Sequence, residues 1–482
     1  MAEVEAARRA LEAALGPAEV LSDPLVLALY GRDASLVEGG CALVAFPTEL
    51  EHVVACMKIA AEHDLPVVPR GAGTGLAGGA TPVGDALVVV TTKMNRILDV
   101  RPQDRLAWVE PGVLTLDLVE ALEPLGHTFA PDPSSRQSST LGGNVATNAG
   151  GPHCLAYGVT ANHVLAIDVV LPDGEVARFG SEGPATAGYD LRAVLVGSEG
   201  TLGVVAAACV RLTPLPPSVR TLLLDFPTIE DCAATVSGVI AAGVVPAAME
   251  FMDRGIVEAV EAFVHAGYPT DAAAILIVEV DGTEGATRAQ AAAVETVARA
   301  NHVRTVRAAA DDDERARLWK GRRNALGAVG RIAPHYYLHD VVVPRTRLVD
   351  ALAGFYAIGR EHELTVTCIA HAGDGNLHPH LHFDQRQPGA LERVLAASEQ
   401  IVRLAVELGG SLSGEHGIGL EKRDFLPLVF SAEDLTAQAC VRAAFDPERR
   451  MNPYKILPDG ARCAEVSAVG AASTRGSEAA WS

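Results

Sequence analysis

Residues Leu65–Gly84, LPVVPRGAGTGLAGGATPVG, join a short apolar strand to a glycine-dense loop. The stretch GTGLAG at 73–78 matches G-x-G-x-x-G, the phosphate-binding pattern of dinucleotide folds. In those folds a helix opens at the third glycine, but the residues that follow here include Pro82 and predict no helix. The sequence therefore favours a loop whose backbone N–H groups converge on a pyrophosphate, with Arg70 adding charge. A mobile glycine-rich turn is the alternative.

The rest of the chain predicts two α+β regions, separated by prolines at 214, 216 and 217. Before this boundary we expect a surface helix over Met1–Gly16, a helix over Thr48–Glu62 and a long irregular loop over Pro131–Gly151. The strands expected there are Ala42–Phe46, Leu65–Pro69, Leu87–Thr91, Leu106–Val109, Val164–Leu171 and Gly203–Arg211. After the boundary, the expected strands are Thr221–Phe226, Ala273–Val280, His302–Val306, Leu338–Val343 and Thr365–Ala370. The helices expected there are Ile229–Ala242, Glu284–Ala300, Arg345–His362 and Leu391–Leu408.

Composition excludes several classes of protein. The formal net charge of −21 argues against nucleic acid and anionic lipid as partners. None of the eight cysteines forms a Cys-x-x-Cys, so the chain predicts no zinc ribbon, no iron–sulfur cluster and no secreted disulfide scaffold. The N-terminus does not resemble a signal peptide, and no apolar run is long enough to span a bilayer. We therefore expect a reduced, soluble, cytoplasmic protein.

Two further segments carry small and amide side chains that suit a large, polar, planar ligand. One is PDPS at 131–134 with SSTLGGNVATNAGG at 138–151, and the other is VGSEGTLGVV at 196–205. With the glycine loop, they resemble the FAD domain of the vanillyl-alcohol-oxidase-type flavoproteins. The most similar branch is that of the glycolate oxidase flavin subunit, D-lactate dehydrogenase and D-2-hydroxyglutarate dehydrogenase. The resemblance implies a two-subdomain FAD-binding domain over 1–217, an α+β cap domain with an antiparallel sheet and a helical C-terminal part over 218–440, a return segment to the flavin over 441–460 and a disordered tail over 461–482.

The same resemblance assigns cofactor contacts to each segment. The residues expected at the FAD pyrophosphate are Arg70, Gly71, Ala72, Gly73, Thr74 and Gly75. Those expected along the flavin and the rest of the cofactor are Pro131, Asp132, Ser134, Gly142, Asn144, Thr147 and Gly150. Those expected near the adenosine half are Glu199, Gly200 and Val204. Some relatives attach FAD covalently through a His or Cys in the first loop, but residues 69–80 contain neither. We therefore expect non-covalent FAD.

A histidine pair in a predicted hairpin suggests a metal site. The segment HAGDGNLH at 371–378 contains Asp-Gly, a strong signal for a two-residue turn. With the turn centred on Asp-Gly, His371 and His378 face each other, with Cβ atoms about 5 Å apart. His380 and His382 share the face of His378. A register slip of one residue and a face of solvated histidines are the alternatives.

A metal at this pair needs a third ligand, and two histidines with one carboxylate leave positions open for substrate. In the resembling family, the carboxylate of the segment SGEHGIG, here at 413–419, completes the metal site and the adjacent histidine is the base. This assigns Glu415 as ligand and His416 as base, a role that the ordinary pKa of histidine suits. A helix-terminus pair on a loop is the alternative.

Two more segments resemble family motifs. WKGRRNAL at 319–326 matches the substrate-arginine segment at Arg322, whose guanidinium can bind a carboxylate bidentately. Arg323 and Arg331 are competing candidates for this role. MNPYK at 451–455 resembles the terminal Met-Asn-Pro-Gly-Lys segment and places Asn452 near the flavin, although Tyr454 stands where the family has glycine.

Together these features predict an FAD-dependent oxidoreductase that converts a small D-2-hydroxy acid, glycolate or D-lactate, into the 2-oxo acid. We expect a divalent metal, zinc ahead of manganese or iron. A D-2-hydroxyglutarate-type dehydrogenase and an alkyl-dihydroxyacetone-phosphate-synthase-like transferase remain alternatives; the acidic charge disfavours the transferase. A berberine-bridge-type oxidase and a metal hydrolase without flavin are further rivals.

The lack of clustered cysteines predicts a separate electron acceptor, such as a quinone, a cytochrome or dioxygen, and the resemblance to the glycolate oxidase family implies a separate iron–sulfur subunit. Such a partner subunit can also hold the chain at the membrane periphery. A homodimer is one option for the oligomeric state.

Overall fold

The computed structural model describes residues 2–183 and 188–463. The tail expected over 461–482 therefore lies outside the described residues from 464 onward. The described part is a mixed α/β molecule built on three main sheets, as expected from the sequence.

The first sheet has four strands and carries the glycine loop. Its spatial order is Val20–Leu21, Cys41–Ala45, Ala86–Val90 and Val67–Arg70, and the last three strands run parallel. The helix Leu50–Glu62 connects Cys41–Ala45 to Val67–Arg70, two parallel strands that lie on either side of Ala86–Val90. The N-terminal helix Ala2–Leu15 packs on Leu50–Glu62 and buries Leu11 completely, so it is part of the core. The glycine loop leaves the end of Val67–Arg70, and no helix follows it, as predicted.

The second sheet has five antiparallel strands. Their spatial order is Ile97–Arg101, Leu106–Val109, Val204–Arg211, Val164–Val170 and Val176–Gly180. The helix Leu141–Thr147 packs on Val204–Arg211, which brings the second cofactor segment to this sheet. A separate two-stranded pair joins His127–Thr128 to Thr213–Pro214.

The third sheet is antiparallel and has eight strands. Seven follow the order Thr305–Ala308, Ser218–Phe226, Ala274–Gly282, Ala248–Asp253, Thr365–His371, Asn376–Phe383 and His335–Leu338. The eighth, Val341–Val342, also pairs with Asn376–Phe383. The main core cluster lies between one face of this sheet and helices that include Leu348–Glu361 and Ala390–Glu407.

Helices cover the sheets or join their strands. The remaining α-helices before residue 217 are Pro24–Tyr30, Thr115–Leu122, Cys154–Tyr157, Thr160–His163 and Leu191–Leu195. Those after it are Ile229–Ala241, Arg254–Val264, Glu284–Ala300, Asp312–Arg323, Ala325–Val329 and Ala432–Phe445. Short 3₁₀ helices occur at Pro17–Glu19, Thr91–Lys93, Glu123–Leu125, Arg345–Arg347 and Arg423–Leu428. None of the helices within residues 2–183 and 188–463 is both long enough and apolar enough to cross a bilayer.

The expectations for the loop over 131–151 and for the redox state of the cysteines were wrong. Pro131–Gly151 is not irregular throughout, because Leu141–Thr147 is a helix whose first turn is capped by the Thr140 hydroxyl. Glycine supports this helix, since a Cβ on Gly142 would lie 2.6 Å from the Pro111 side chain. The chain is also not fully reduced in the structure, which joins Cys440 and Cys463 by a disulfide. The two cysteines are 23 residues apart, so no short spacing signalled their pairing.

Candidate active site

A cavity of about 670 Å³ extends from the glycine loop to the third sheet. Arg70 is buried beneath the loop and donates to the backbone oxygens of Arg32 (2.8 Å) and Ala80 (3.3 Å). Gly73 crosses over this guanidinium with φ +74°, and a Cβ there would lie 2.1 Å from Arg70 Nη2. Arg70 therefore shapes the loop, in addition to lining the cavity.

Most of the predicted cofactor residues line this cavity. Those that do are Arg70, Gly71, Ala72, Gly73, Thr74, Gly75, Ser134, Gly142, Asn144, Thr147, Glu199, Gly200 and Val204. Those that do not are Pro131, Asp132, Gly150 and Asn452. The glycine loop fits a pyrophosphate ligand, because Gly71, Gly73 and Gly75 have no side chains to keep a ligand away from the backbone N–H groups.

The four residues outside the cavity wall lie next to it or support it. Asp132 accepts a hydrogen bond from His153 Nδ1 at 2.8 Å. Gly150 lets the backbone approach Glu415, since a Cβ there would lie 2.9 Å from Glu415 Oε2. The Asn452 amide donates to the backbone oxygens of Gly79 (2.8 Å) and Glu199 (2.6 Å), and so ties two cofactor loops together.

The histidine hairpin has a different register from the predicted one. His371 pairs with Asn376, and His378 pairs with Ile369, because the connection is a four-residue loop over 372–375. The register moves by two residues, which keeps every side chain on its predicted face. His371 and His378 are thus diagonal neighbours on one face, with ring centroids 5.2 Å apart.

Glu415 lies against both histidines. Its Oε1 is 3.1 Å from His371 Nε2 and 3.3 Å from His378 Nε2. Tetrahedral ligands about 2.1 Å from one ion lie about 3.4 Å apart, so these spacings fit a single small cation. The three side chains form a group whose ligand atoms all lie within 4.8 Å of one another.

The electrostatics of this group also suit a cation. Burial raises the pKa of Glu415, but His371 and His378 outweigh burial and hold it well below its ordinary value. Burial lowers the pKa of His371, but the Glu250 and Glu415 carboxylates outweigh burial and raise it well above its ordinary value. Because the Glu415 carboxyl stays ionised and the carboxylates attract positive charge to His371, the electrostatics favour a positive charge between these two side chains.

Glu250 is the residue behind the metal group, and sequence analysis missed it. Both of its carboxylate oxygens lie 2.9 Å from His371 Nδ1. A proton on Nδ1 leaves the Nε2 lone pair facing Glu415, which is the arrangement that metal-binding histidines adopt. Glu250 is wholly buried in the strand Ala248–Asp253, and a carboxylate flanked by Ala248, Met249, Phe251 and Met252 was the available signal.

Asp340 fixes the segment that carries Glu415 and His416. Its Oδ2 accepts from Ser413 Oγ (2.5 Å) and from three consecutive N–H groups of residues 414–416, at 2.9, 3.1 and 2.9 Å. Lys422 Nζ lies 3.6 Å from the same oxygen. Burial raises the pKa of Asp340, but His416 and Lys422 outweigh it and hold it well below its ordinary value. Sequence analysis also missed this carboxylate.

Asp340, His378 and His416 form a second group with metal-ligand spacing. Four donors already occupy Asp340 Oδ2, so only Oδ1 remains for a cation. The group that contains Glu415 is therefore the better candidate. His416 stacks on His378 with ring centroids 5.1 Å apart, and burial lowers its pKa to about 4.

Glu199 holds the other end of the same segment. Its two carboxylate oxygens accept from the N–H groups of Ile418 (2.7 Å) and Gly419 (2.8 Å). The resemblance placed Glu199 near the adenosine half of FAD, and it does line the cavity. The structure adds a contact from this cofactor loop to the segment that carries Glu415.

Arg322, the expected substrate arginine, lines the cavity, but it is already paired. It is 4% exposed, and its Nη2 lies 2.5 Å from Glu250 Oε2. Its Nε has no hydrogen-bond partner within the described residues.

Tyr454, which replaces the family's glycine, adopts φ +67°, a left-handed conformation that glycine favours.

Comparisons with known proteins identify the family to which the chain belongs. The family described as "FAD binding domain" matches residues 41–180, and the family described as "FAD linked oxidases, C-terminal domain" matches residues 215–456. The chain therefore belongs to the FAD-linked oxidases, a class of flavin-dependent oxidoreductases.

Two characterised relatives and one solved structure define the similarity further. The chain is 43% identical to glycolate oxidase subunit GlcD of Escherichia coli (strain K12), over 89% of this chain and 86% of that protein. It is 34% identical to D-lactate dehydrogenase of Anaerostipes hadrus, over 89% of this chain and 91% of that one. The structure of p-cresol methylhydroxylase shares the fold, with a TM-score of 0.80, 16% identity, and coverage of 95% of this chain and 97% of that one.

Proposed function

We propose that this protein oxidises a small D-2-hydroxy acid, glycolate or D-lactate, to the corresponding 2-oxo acid, with non-covalently bound FAD and a divalent metal. One observation carries the proposal. Arg322, His371, His378, Glu415 and His416 line the same cavity as the glycine loop. Side chains that suit a carboxylate and a hydroxyl group thus lie next to the loop that we expect to bind a two-electron cofactor. Similarity to glycolate oxidase subunit GlcD and to D-lactate dehydrogenases supports this substrate class.

His371, His378 and Glu415 are the residues we assign to the metal, with zinc ahead of manganese or iron. When bound, the flavin supplies a two-electron acceptor and the metal supplies a Lewis acid for the substrate hydroxyl. Glu250 keeps His371 Nε2 free for coordination. Asp340 and Glu199 fix the backbone that presents Glu415.

Arg322 and His416 act on the substrate itself. The free side of the Arg322 guanidinium binds the substrate carboxylate, while its Nη2 stays with Glu250. His416, neutral and next to His378, accepts the proton of the α-hydroxyl group. Removal of this proton by His416 would leave the α-carbon ready to lose a hydride to a bound two-electron acceptor, and loss of the proton and the hydride together would turn the 2-hydroxy acid into the 2-oxo acid.

A separate acceptor completes the turnover. The six cysteines outside the disulfide are dispersed, and neither metal group found in the described residues contains a cysteine. We assign reoxidation to an iron–sulfur subunit, a quinone or a cytochrome, with the chain in the cytoplasm or held at the membrane periphery by that partner. Turnover should be slow with dioxygen and fast with a dye or a quinone.

A substrate screen with an artificial dye acceptor tests the proposal. The panel contains glycolate, both lactate enantiomers, D-2-hydroxyglutarate and a non-acidic alcohol. Dye reduction with a D-2-hydroxy acid and not with the alcohol is expected. A yellow protein that reduces dye with none of the acids would contradict the function, and rapid stoichiometric peroxide release would contradict the separate acceptor.

Replacing the histidines tests the metal site. His371→Ala and His378→Ala should abolish oxidation and leave the flavin spectrum intact, since neither residue belongs to the glycine loop. His265→Ala, a change outside the cavity wall, serves as control. Full activity in His371→Ala, or in metal-free protein, would overturn the metal assignment.

A further inference from the structure

Arg323 is a cation at the cavity wall that lacks an ion-pair partner. It follows Arg322 on the helix Asp312–Arg323 and lines the same cavity. Within the described residues, it makes no ion pair and no hydrogen bond through its guanidinium. Its guanidinium lies over the Trp319 ring, whose centroid is 5.4 Å from Arg323 Cζ.

The carboxylates that face Arg323 are already paired. Asp132 accepts from His153 at 2.8 Å. Glu279 accepts from Arg315 at 2.9 Å and from Trp319 Nε1 at 2.7 Å. Arg136 adds a second positive charge on the same side. Asp132 and Glu279 attract Arg323 from a distance, but neither forms a direct ion pair with it, so an anion that arrives here gains a partner that no carboxylate of the described residues contacts.

Exposure along the cavity places Arg323 at its mouth, which we define as Ser134, Arg323 and Gly327. Ser134 and Gly327 are exposed and Arg323 is partly exposed, whereas Arg322 and the metal-binding residues lie deeper. An anionic substrate that enters from solvent meets Arg323 before it reaches Arg322. Arg322 also differs in that Glu250 already neutralises it.

We propose that Arg323 is a substrate-docking residue that binds the carboxylate of the incoming 2-hydroxy acid at the mouth of the cavity. The inference rests on the proposed function for the identity of the anion. A chain with a net charge of −21 repels anionic substrates at long range, and a local uncompensated cation offsets that repulsion. Docking affects binding before chemistry, so its loss should raise KM and leave kcat unchanged.

The test is calorimetric titration of the holoenzyme with oxalate, a dianion with no hydrogen to transfer, together with steady-state kinetics. Arg323→Gln should raise the Kd for oxalate and the KM for the hydroxy acid about fivefold, since a partly exposed charge pair contributes modestly. Arg323→Lys should restore most of the affinity. The difference between Arg323→Gln and the wild type should shrink at 1 M salt, because salt screens exposed charges.

Arg331→Gln is the matched control. Arg331 also lies over an aromatic ring, since its Cζ is 5.1 Å from the centroid of the Phe263 ring. Its replacement by Gln removes the same charge, but Arg331 does not line the cavity. It should leave both constants within twofold of the wild type. Equal effects of Arg323→Gln and Arg331→Gln, or a fall in kcat at constant KM, would overturn the docking role. If no hydroxy acid is oxidised but Arg323→Gln still weakens oxalate binding, the proposed function fails and the anion site stands.

Discussion

Asp340→Asn should reduce turnover strongly while the flavin stays bound. The substitution removes the charge from an oxygen that accepts four hydrogen bonds, three of them from the backbone of residues 414–416. A charge-assisted bond is about twice as strong as a neutral one, or about 1 kcal/mol more each. The four bonds therefore weaken by about 4 kcal/mol in total, within the range for breaking a buried ion pair.

The weakened hydrogen bonds are those that hold the backbone of Glu415 and His416 in place. A displacement of about 1 Å at reacting groups costs about 100-fold in rate, so we expect kcat to fall about 100-fold. KM should change little, since Arg322 and Arg323 lie on the helix Asp312–Arg323, which Asp340 does not hold in place. The measurements are kcat and KM with a dye acceptor, flavin absorbance, and the free energy of unfolding in urea.

Asp225→Asn is the control for Asp340→Asn. Asp225 is also a buried carboxylate of the third sheet, bound to Arg304 Nε and Thr305 Oγ1 at 2.8 Å each. It lies near the opposite edge of that sheet from the histidine hairpin. Asp225→Asn should lower stability and leave kcat unchanged. A folded Asp340→Asn variant with kcat within threefold of the wild type would refute the positioning argument, as would an equal loss of kcat in Asp225→Asn.

Three further predictions follow from single contacts. Glu250→Gln should weaken metal binding about 10- to 100-fold in a chelator competition, because His371 loses the carboxylate that orients it; unchanged affinity would contradict that role. Heat or acid should release all FAD into the supernatant, since residues 69–80 contain no His or Cys; flavin that precipitates with the protein would show covalent attachment. Asp253→Ala should lower the free energy of unfolding by about 2–4 kcal/mol, because Asp253 caps Arg254–Val264 and also accepts from Cys368 N and Tyr356 Oη; a loss under 1 kcal/mol in urea unfolding would contradict this.

The sequence predicted elements well where periodicity was clear. Glu284–Ala300 has the predicted ends because it is a long helix with one apolar face. The strand Ala248–Asp253 was missed, since all of its residues are buried and it follows an apolar run without a period. Glu250 was missed with it. A two-residue turn was expected at Asp374-Gly375, but contacts from outside the hairpin favour a longer loop.

Those contacts explain why local turn preference gave the wrong register. Gly375 O accepts from Val343 N at 3.0 Å, and Gly373 O accepts from Arg345 Nε at 2.6 Å. Both donors lie about 30 residues away in sequence, where no turn rule reaches. The shift was even, so the prediction that His371 and His378 share a face survived the error in register.

Glu415 and His416 are held in place by hydrogen bonds from the backbone of their segment more than by packing of their side chains. Residues 413–419 form no helix or strand, so their shape is set by the groups that bind their N–H donors. Asp340, next to the third sheet, accepts hydrogen bonds from the first half of the segment. Glu199, from a loop that lines the cofactor cavity, accepts those from the second half. The residues that we propose as metal ligand and proton acceptor are thus fixed from two sides, one of which is the loop that lines the cofactor cavity. A change in the cradle at Glu199 therefore reaches Glu415 through the backbone, although the two side chains play different parts in the proposed reaction.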